Sequence, residues 1–448
     1  MNMKSVVSVL GLSVFLTGCP LEDDDVSQIR ITHASSDAPP VAVLLNGETV
    51  GGLENVDYQT GSQLLNVESG TYNVGVEALL PGDERLSVIS ANLDFSPDMQ
   101  YDIVAVNQAE SIEPVVLSRP DILPSGNEIR VDVLHAHPDV PAVDIYLNTE
   151  EDISAVEPAV AGLAFKEDHP ELPVILPAAT YRLRLTLAGS KTVAYASGPV
   201  ELNGGSDLLI TAVPNVSGGA VSPVNLLVAD GEQITVLRNL GEQVEVRVVH
   251  AVADAPNVDV LASGSVVDGL SDITFREFRS VRLAPEHYDL SVAAAFDNSV
   301  VVIDAPDTSF AAGTSTSIYA VGKLNSVTDS TIEPLIIPED LRPVAAYAKV
   351  RVVHASSTAA GLGRVDIHAS VDGVFDASTV VLEGVDFKQT AVLNVPAGTY
   401  QLAVILQSDP SYTPAVTASA EVENGGVYSV VATDDFAGGL LLNVDNTL

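Results

Sequence analysis

Four stretches of this chain open alike, and that repetition constrains the fold more than any other feature. They read IRITHASSDAPPVAVLLNG from Ile29, IRVDVLHAHPDVPAVDIYLN from Ile129, VRVVHAVADAPNVDVLASG from Val246 and VRVVHASSTAAGLGRVDIHA from Val350. The marker histidines His33, His135, His250 and His354 are separated by 102, 115 and 104 residues. A period of that size is a domain, far longer than a solenoid turn or a propeller blade. Other landmarks recur in step. An aromatic (Tyr58, Phe165, Phe275, Phe387) precedes a turn and a tyrosine (Tyr72, Tyr181, Tyr288, Tyr400). An apolar run follows each time: YDIVAV, LLITAV, SIYAVG and YSVVAT.

The hydrophobic period inside each unit is 2, not 3.6. Alternating runs rich in Val, Ile, Leu and Thr are broken by Gly, Pro, Asn and Asp every ~8–12 residues, which predicts an all-β sandwich. Seven or eight strands in roughly 100 residues is an immunoglobulin-like size. The expected fold is therefore all-β: four tandem immunoglobulin-like antiparallel β-sandwich domains, at residues 29–118, 128–230, 244–337 and 347–446. Each is large enough to bury its own core, so the units are expected to sit like beads. Residues 119–127 and the run PEDLRP from Pro338 to Pro343 are expected to be exposed linkers. The junction 231–243 reads as an extra strand as readily as a linker.

Strand alternation assigns faces to the repeated residues. Each histidine falls at the end of an apolar row (Ile29, Ile31, His33; Val131, Val133, His135; Val246, Val248, His250; Val350, Val352, His354). A neutral imidazole at the rim of a core can donate to a carbonyl and accept from a loop N–H. One histidine per unit is too few for a zinc site, which needs three or four ligands. Asp37, Asp139 and Asp254 open a loop of the form Asp-x-Pro, a turn-capping pattern. Unit four has Thr358-Ala359-Ala360-Gly361 there instead. Asp144, Asp259 and Asp366 interrupt an apolar strand whose neighbours face the core, so they are expected to face outward. A Ser-His-Asp triad is disfavoured, because alternation puts the His and the Asp on opposite faces and no G-x-S-x-G elbow occurs. Tyr72, Tyr181, Tyr288 and Tyr400 share a face with core residues, and their hydroxyls are expected to tie down a loop. No catalytic residue, cofactor or metal is implied by these patterns.

The first residues carry a different message. Lys4 and the short apolar stretch Val6–Leu16 form a secretory signal, too short to span a bilayer. The segment ends in Leu16-Thr17-Gly18-Cys19, which resembles the lipobox of bacterial lipoproteins. That resemblance implies a signal peptide over 1–18, acylation of Cys19 and a short acidic tether over 19–28. Two or three acyl chains anchor a protein stably where one does not. Cys19 is the only cysteine in the 448 residues, so no intramolecular disulfide or multi-cysteine metal site exists. With 60 acidic against 20 basic residues and a net charge of −40, the chain is not built to neutralise phosphates, and nucleic acid is excluded as a partner.

The recurring opening VRVVHAVADAPNVDV, with VPAGTY in the fourth unit, resembles domain-of-unknown-function family 4397 of secreted and envelope bacterial proteins. The resemblance spans nearly all of residues 28–446 and implies β-domains and an envelope location, without any activity or catalytic residue. The expected function is a non-catalytic cell-envelope lipoprotein. It is held to a membrane through Cys19, preferentially the outer membrane because Pro20 rather than Asp follows the cysteine. It presents its domains for adhesion, scaffolding or interaction with an unknown protein or glycan. The alternative is an envelope module binding a small ligand, a glycan or calcium.

Overall fold

The structure, a computed structural model, describes residues 25–324, 331–434 and 439–448. The signal peptide and Cys19 lie outside the described residues. In the first unit the strands are β1 (Val26–His33), β2 (Val41–Leu45), β3 (Glu48–Thr49), β4 (Leu65–Glu68), β5 (Gly70–Leu80), β6 (Glu84–Phe95), β7 (Met99–Val106) and β8 (Glu113–Pro120). They form two sheets, in the orders β4-β1-β7-β8 and β3-β2-β5-β6. The same two-sheet plan recurs in the other units. The second unit gains a fifth strand, Ile234–Leu237, on its first sheet, which settles the open junction as an extra strand. The all-β sandwich reading holds. Among the described residues no helix is long and apolar enough to cross a membrane.

One pairing departs from the antiparallel expectation. In every unit the histidine strand runs parallel to the later apolar strand: β1 with β7, Glu128–His135 with Asp207–Pro214, Val244–His250 with Ser315–Val321, and Ala348–His354 with Val427–Ala432. Parallel pairs are normally covered on both faces, and their strands read as continuous apolar runs rather than alternating ones. YDIVAV and its counterparts are such runs.

One face of each parallel pair belongs to its own sandwich. Ile29, Ile31, Tyr101 and Ile103 join Val41, Val43, Val74 and Phe95 in the first core. The other face packs against a neighbouring unit. Ala34, Val104, Val106 and Leu117 of unit one form a single cluster with Leu134, Leu209, Val213 and Leu227 of unit two. Val249, Tyr319 and Ile337 of unit three do the same with Val353, Ala355 and Val431 of unit four. The units are therefore not beads: they are two pairs, each sealed sheet against sheet.

Arginines of the histidine strands, joined by Arg119 of β8, lie at these seals. Arg30, 1% exposed, bonds Asp102 at 2.6 Å. Arg119 bridges Asp102 of its own unit at 2.5 Å and Asp207 of unit two at 3.1 Å, and Arg130 holds Asp207 from its own side at 2.6 Å. In the second pair, Arg247 of unit three reaches Asp445 of unit four, while Arg351 of unit four reaches Glu339 of unit three at 3.0 Å. Lys166 to Glu113 and Lys388 to Glu333 repeat one lysine–glutamate bridge at matching places in the two pairs.

Of the two expected linkers, the first is exposed beyond its first residue, and the second is corrected by the structure. Arg119, the penultimate residue of β8, is buried in the ion network, whereas Ile122 and Leu123 beyond it are exposed. Within PEDLRP, Arg342 is buried. It donates to Ser36 O and Ala38 O at 3.2 and 2.8 Å and pairs with Asp57 at 2.5 Å. Asp340 pairs with Lys349 at 2.5 Å, and Asn446 Nδ2 donates to Leu341 O. This segment clasps the first unit to the fourth. An arginine in an acidic chain is held here because the linker lies where three carbonyl and carboxylate oxygens of unit one converge.

Removing one partner of a buried ion pair strands the other charge, at a cost of about 3–5 kcal/mol. Asp207→Ala leaves Arg119 and Arg130 without their shared carboxylate. It is expected to lower the unfolding free energy by about that amount in urea titrations, whereas Glu77→Ala, which loses only the exposed pair with Arg85, should change it by less than ~1 kcal/mol.

Candidate functional site

The histidine corner is the most repeated constellation, and its geometry can be followed atom by atom. β1 ends at His33, the chain turns through Asp37-Ala38-Pro39, and β2 begins at Val41. His33 Nε2 lies 3.1 Å from Pro39 O, and Nδ1 accepts from Ser35 N–H at 3.3 Å. A neutral ring protonated on Nε2 satisfies both. His135 repeats this with Pro141 O and His137 N–H, and His250 with Pro256 O and Val252 N–H. The landmark aromatic stands edge-on to each ring: Tyr58, Phe165, Phe275 and Phe387 at 6.3, 6.2, 6.1 and 6.2 Å from the four histidines in order. The sequence showed the aromatic and the histidine as separate landmarks; their contact comes from the fold. The residue after the aromatic (Gln59, Lys166, Arg276, Lys388) has a φ of 64°, 64°, 69° and 69°. Its N–H donates to the histidine carbonyl in every unit. These left-handed side-chain residues cost energy that the surrounding bonds offset.

The Asp-x-Pro loop is anchored across the parallel pair. Asp37 accepts from Ala109 N–H at 2.8 Å, and Asp254 from Leu324 N–H at 2.9 Å. Unit four reverses the roles. Its loop becomes a one-turn helix, Ser357–Ala360, and the carboxylate comes from the opposite side: Asp434 accepts from the Ser356 and Ser357 hydroxyls and Thr358 N–H. With the loop changed, both nitrogens of buried His354 are left without a hydrogen-bond partner.

Asp144, Asp259 and Asp366 face away from the core, as alternation requires. Asp144 and Asp259 are nevertheless buried, because loops fold over them. Asp144 accepts from Gly162 N–H and Gly189 N–H, Asp259 from Asp272 N–H, and Asp366 from Gly384 N–H. The hydrogen bonds of these three aspartates run to backbone N–H groups and not to the motif histidines. The tyrosines tie loops as expected in three units. Tyr181, Tyr288 and Tyr400 donate to Pro177 O, Ala284 O and Pro396 O, each four residues back. Tyr72 instead stacks on Phe95 at 5.5 Å. A second set went unrecognised in the sequence: Tyr101 and Tyr428 accept at their hydroxyls from Ser96 N–H and Glu423 N–H. Among the described residues no group of three or more His, Cys, Asp or Glu could hold a metal ion.

Burial pushes His33 and His354 down to about 4, the Pro39 hydrogen bond opposing this in His33. Both titrate near 6.5 when unfolded. Their folded-state values are depressed, so the unfolded chain binds more protons between those limits, and stability is lost as pH falls from 6.5 toward 4. Each contributes up to about 1.4 kcal/mol per pH unit in that window. Asp132, raised to about 6 chiefly by burial, acts oppositely, since its folded form takes up a proton first. His33→Phe is expected to flatten the stability slope between pH 6.5 and 4 and to cost about 1–3 kcal/mol at neutral pH through the stranded Pro39 and Ser35 groups. His354→Phe strands nothing and should cost less; chemical denaturation across pH checks both.

The sequence profile described as Domain of unknown function (DUF4397) matches residues 27–146 and 244–368, more than half of the chain. No curated protein matches it. Among solved structures, the Bacillus anthracis TIE protein aligns over 92% of this chain and 68% of its own, at 10% identity and a TM-score of 0.15. A candidate cell adhesion protein from Bacteroides uniformis aligns over 48% of this chain and 98% of its own, at 10% identity and a TM-score of 0.19. Those scores are too low to bear on function. The two profile matches each start at the first strand of a sealed pair and run into the unit that closes it, and on their extent this chain belongs to the DUF4397 family.

Proposed function

We propose that this protein is a non-catalytic, lipid-anchored component of a bacterial cell envelope that presents a four-sandwich body for protein interaction or adhesion. One observation carries the reading: the residues copied into every unit are spent on holding strands and loops. The histidines of the first three units bridge their own corners, the motif aspartates cap backbone N–H groups, and the tyrosines of the last three units tie carbonyls. What differs between units is the exposed surface, which is where an adhesive or scaffolding protein carries its specificity.

The two sealed pairs and the Arg342 clasp favour a compact body over a stalk. Cys19 stands six residues before Asp25, the first described residue. At about 3.3–3.6 Å per residue the first sandwich is kept within about 20 Å of an acylated cysteine. The outer membrane is the preferred site, from the residue after Cys19. An excess acidic charge keeps such a body soluble and holds it off anionic headgroups.

Cys19→Ala is expected to abolish incorporation of radiolabelled palmitate and to move the protein from the membrane to the soluble fraction. Retention of label or of membrane association would refute the anchor. Crosslinking in intact cells, with purification through a C-terminal tag and mass spectrometry, should return a reproducible protein partner or show attachment to an extracellular surface. Turnover of any substrate that is lost in His250→Phe while the fold is intact would overturn the non-catalytic reading.

A further inference from the structure

Strand register relates the four units residue by residue. The marker histidines His33, His135, His250 and His354 pair with Ala105, Ala212, Ala320 and Ala432 on the parallel strand. Those alanines pair in turn with Pro114, Leu226, Pro334 and Leu440 on the last strand of the unit. A proline on an edge strand has no N–H to offer and blunts the edge against a further strand. Units one and three carry that guard, whereas units two and four have leucine at the same place.

In unit two the unguarded edge is used. Ile234–Leu237 adds antiparallel to it, pairing with Leu226 to Ala229. The added strand serves both faces of the sheet: Leu237 packs on the core of unit two, while Ile234 and Val236 pack into the seal with unit one. The equivalent stretch of unit four runs from Leu440 to Asn443, and among the described residues no strand pairs with its outer edge. Leu442 and Val444 on that strand are exposed.

We propose that this edge of unit four is a docking site for an extended segment of a partner protein, added antiparallel as the fifth strand that unit two already has. The proposal rests on the protein-interaction reading above and names its surface. The chemistry of the segment follows from the pairing in unit two. Opposite Leu440 and Leu441 it carries apolar residues, where unit two receives Leu237 and Val236. Opposite Asn443 it carries a small residue. Ile234 fits at that position because Gly61 of unit one leaves room: a Cβ on Gly61 would lie 2.7 Å from Ile234 Cδ1. Unit three has the partly buried ring of Phe278 there instead, since Gly61 bridges to Thr32 and Phe278 pairs with Val249, each one residue before its marker histidine. The segment is neutral or basic, because the host chain carries a net charge of −40. A second copy would bring that same charge and is the poorer occupant.

The test uses the full-length protein in detergent and fluorescence anisotropy. The probe is the labelled peptide QSTVLRNL, the chain's own residues 233–240 with Ile234→Ser. Saturable binding at one site per chain is expected, with hydrogen-exchange protection gained within residues 440–443. N-methylating one alternate set of the peptide's amides should weaken binding about tenfold or more, and the other set much less, because a strand pairs along one edge only. Leu440→Pro copies the guard that Pro114 and Pro334 supply in the same fold, and should also weaken binding about tenfold or more. The methylated peptides decide the matter if that variant does not fold. No saturable binding, equal weakening by both methylated sets, or unchanged affinity in folded Leu440→Pro would overturn the proposal. Dimerisation in sedimentation that Leu440→Pro abolishes would overturn it in favour of a second copy. A partner crosslinked in cells that persists in folded Leu440→Pro would overturn this site and leave the interaction reading standing.

Discussion

The structure rests on a strand pair that is apolar on both faces. A sandwich needs only one buried face per sheet, and an ordinary antiparallel unit leaves the other in water. Here the histidine strand and its parallel partner carry Val, Ile, Leu and Tyr on both sides, as in Val249 and Tyr319 facing out against Ile318 facing in. Exposed, that second face would be a large apolar patch of the kind monomers avoid. Covering one unit's patch with the next unit's patch solves the problem twice over. The pairing of unit one with two, and three with four, follows from this single excess of apolar surface.

The ion networks make sense only on that footing. Burying an arginine is costly unless its charge is matched, so arginines at the seal bring carboxylates with them. In the second pair the exchange is reciprocal, Arg247 to Asp445 and Arg351 to Glu339, each unit supplying the other's counter-charge. In the first pair Arg119 collects carboxylates from both sides. Such networks give the apolar seal a register: a sandwich rotated or slid on its neighbour would strand buried charge. The lysine–glutamate bridges mark the rim of each seal at the same place.

Much of this was readable from residues alone. The period of two and the turn spacing give the strands; the rim position of the histidine and the tyrosine after the turn give their structural roles. Less was readable about who bonds to whom. Tyr58 and Phe387 were landmarks before they were partners of His33 and His354, since their contact crosses a loop whose path no local pattern encodes. The arginine three residues before the histidine in three units was visible, but its partners were not. Glu339 and Asp445 share one place on the last strand of their units, but Asp102 and Asp207 sit at two other positions on the parallel strand, so no single repeat position carries the partner. The PEDLRP run looked like a linker because proline and charge mark linkers on average, and composition is blind to the carbonyls of Ser36 and Ala38 waiting across the molecule.

The sequence by itself therefore determined the fold of each unit, because alternation, turn chemistry and strand propensity act within ten or so residues. It also determined the number of units, and it carries the lipobox-like run on which the proposed anchor at Cys19 rests. Only the tertiary structure decided that the units pair, which face seals, and that a linker becomes a clasp. Those outcomes depend on shape and charge matched between surfaces more than a hundred residues apart, where neither surface carries a signal until the other is in place.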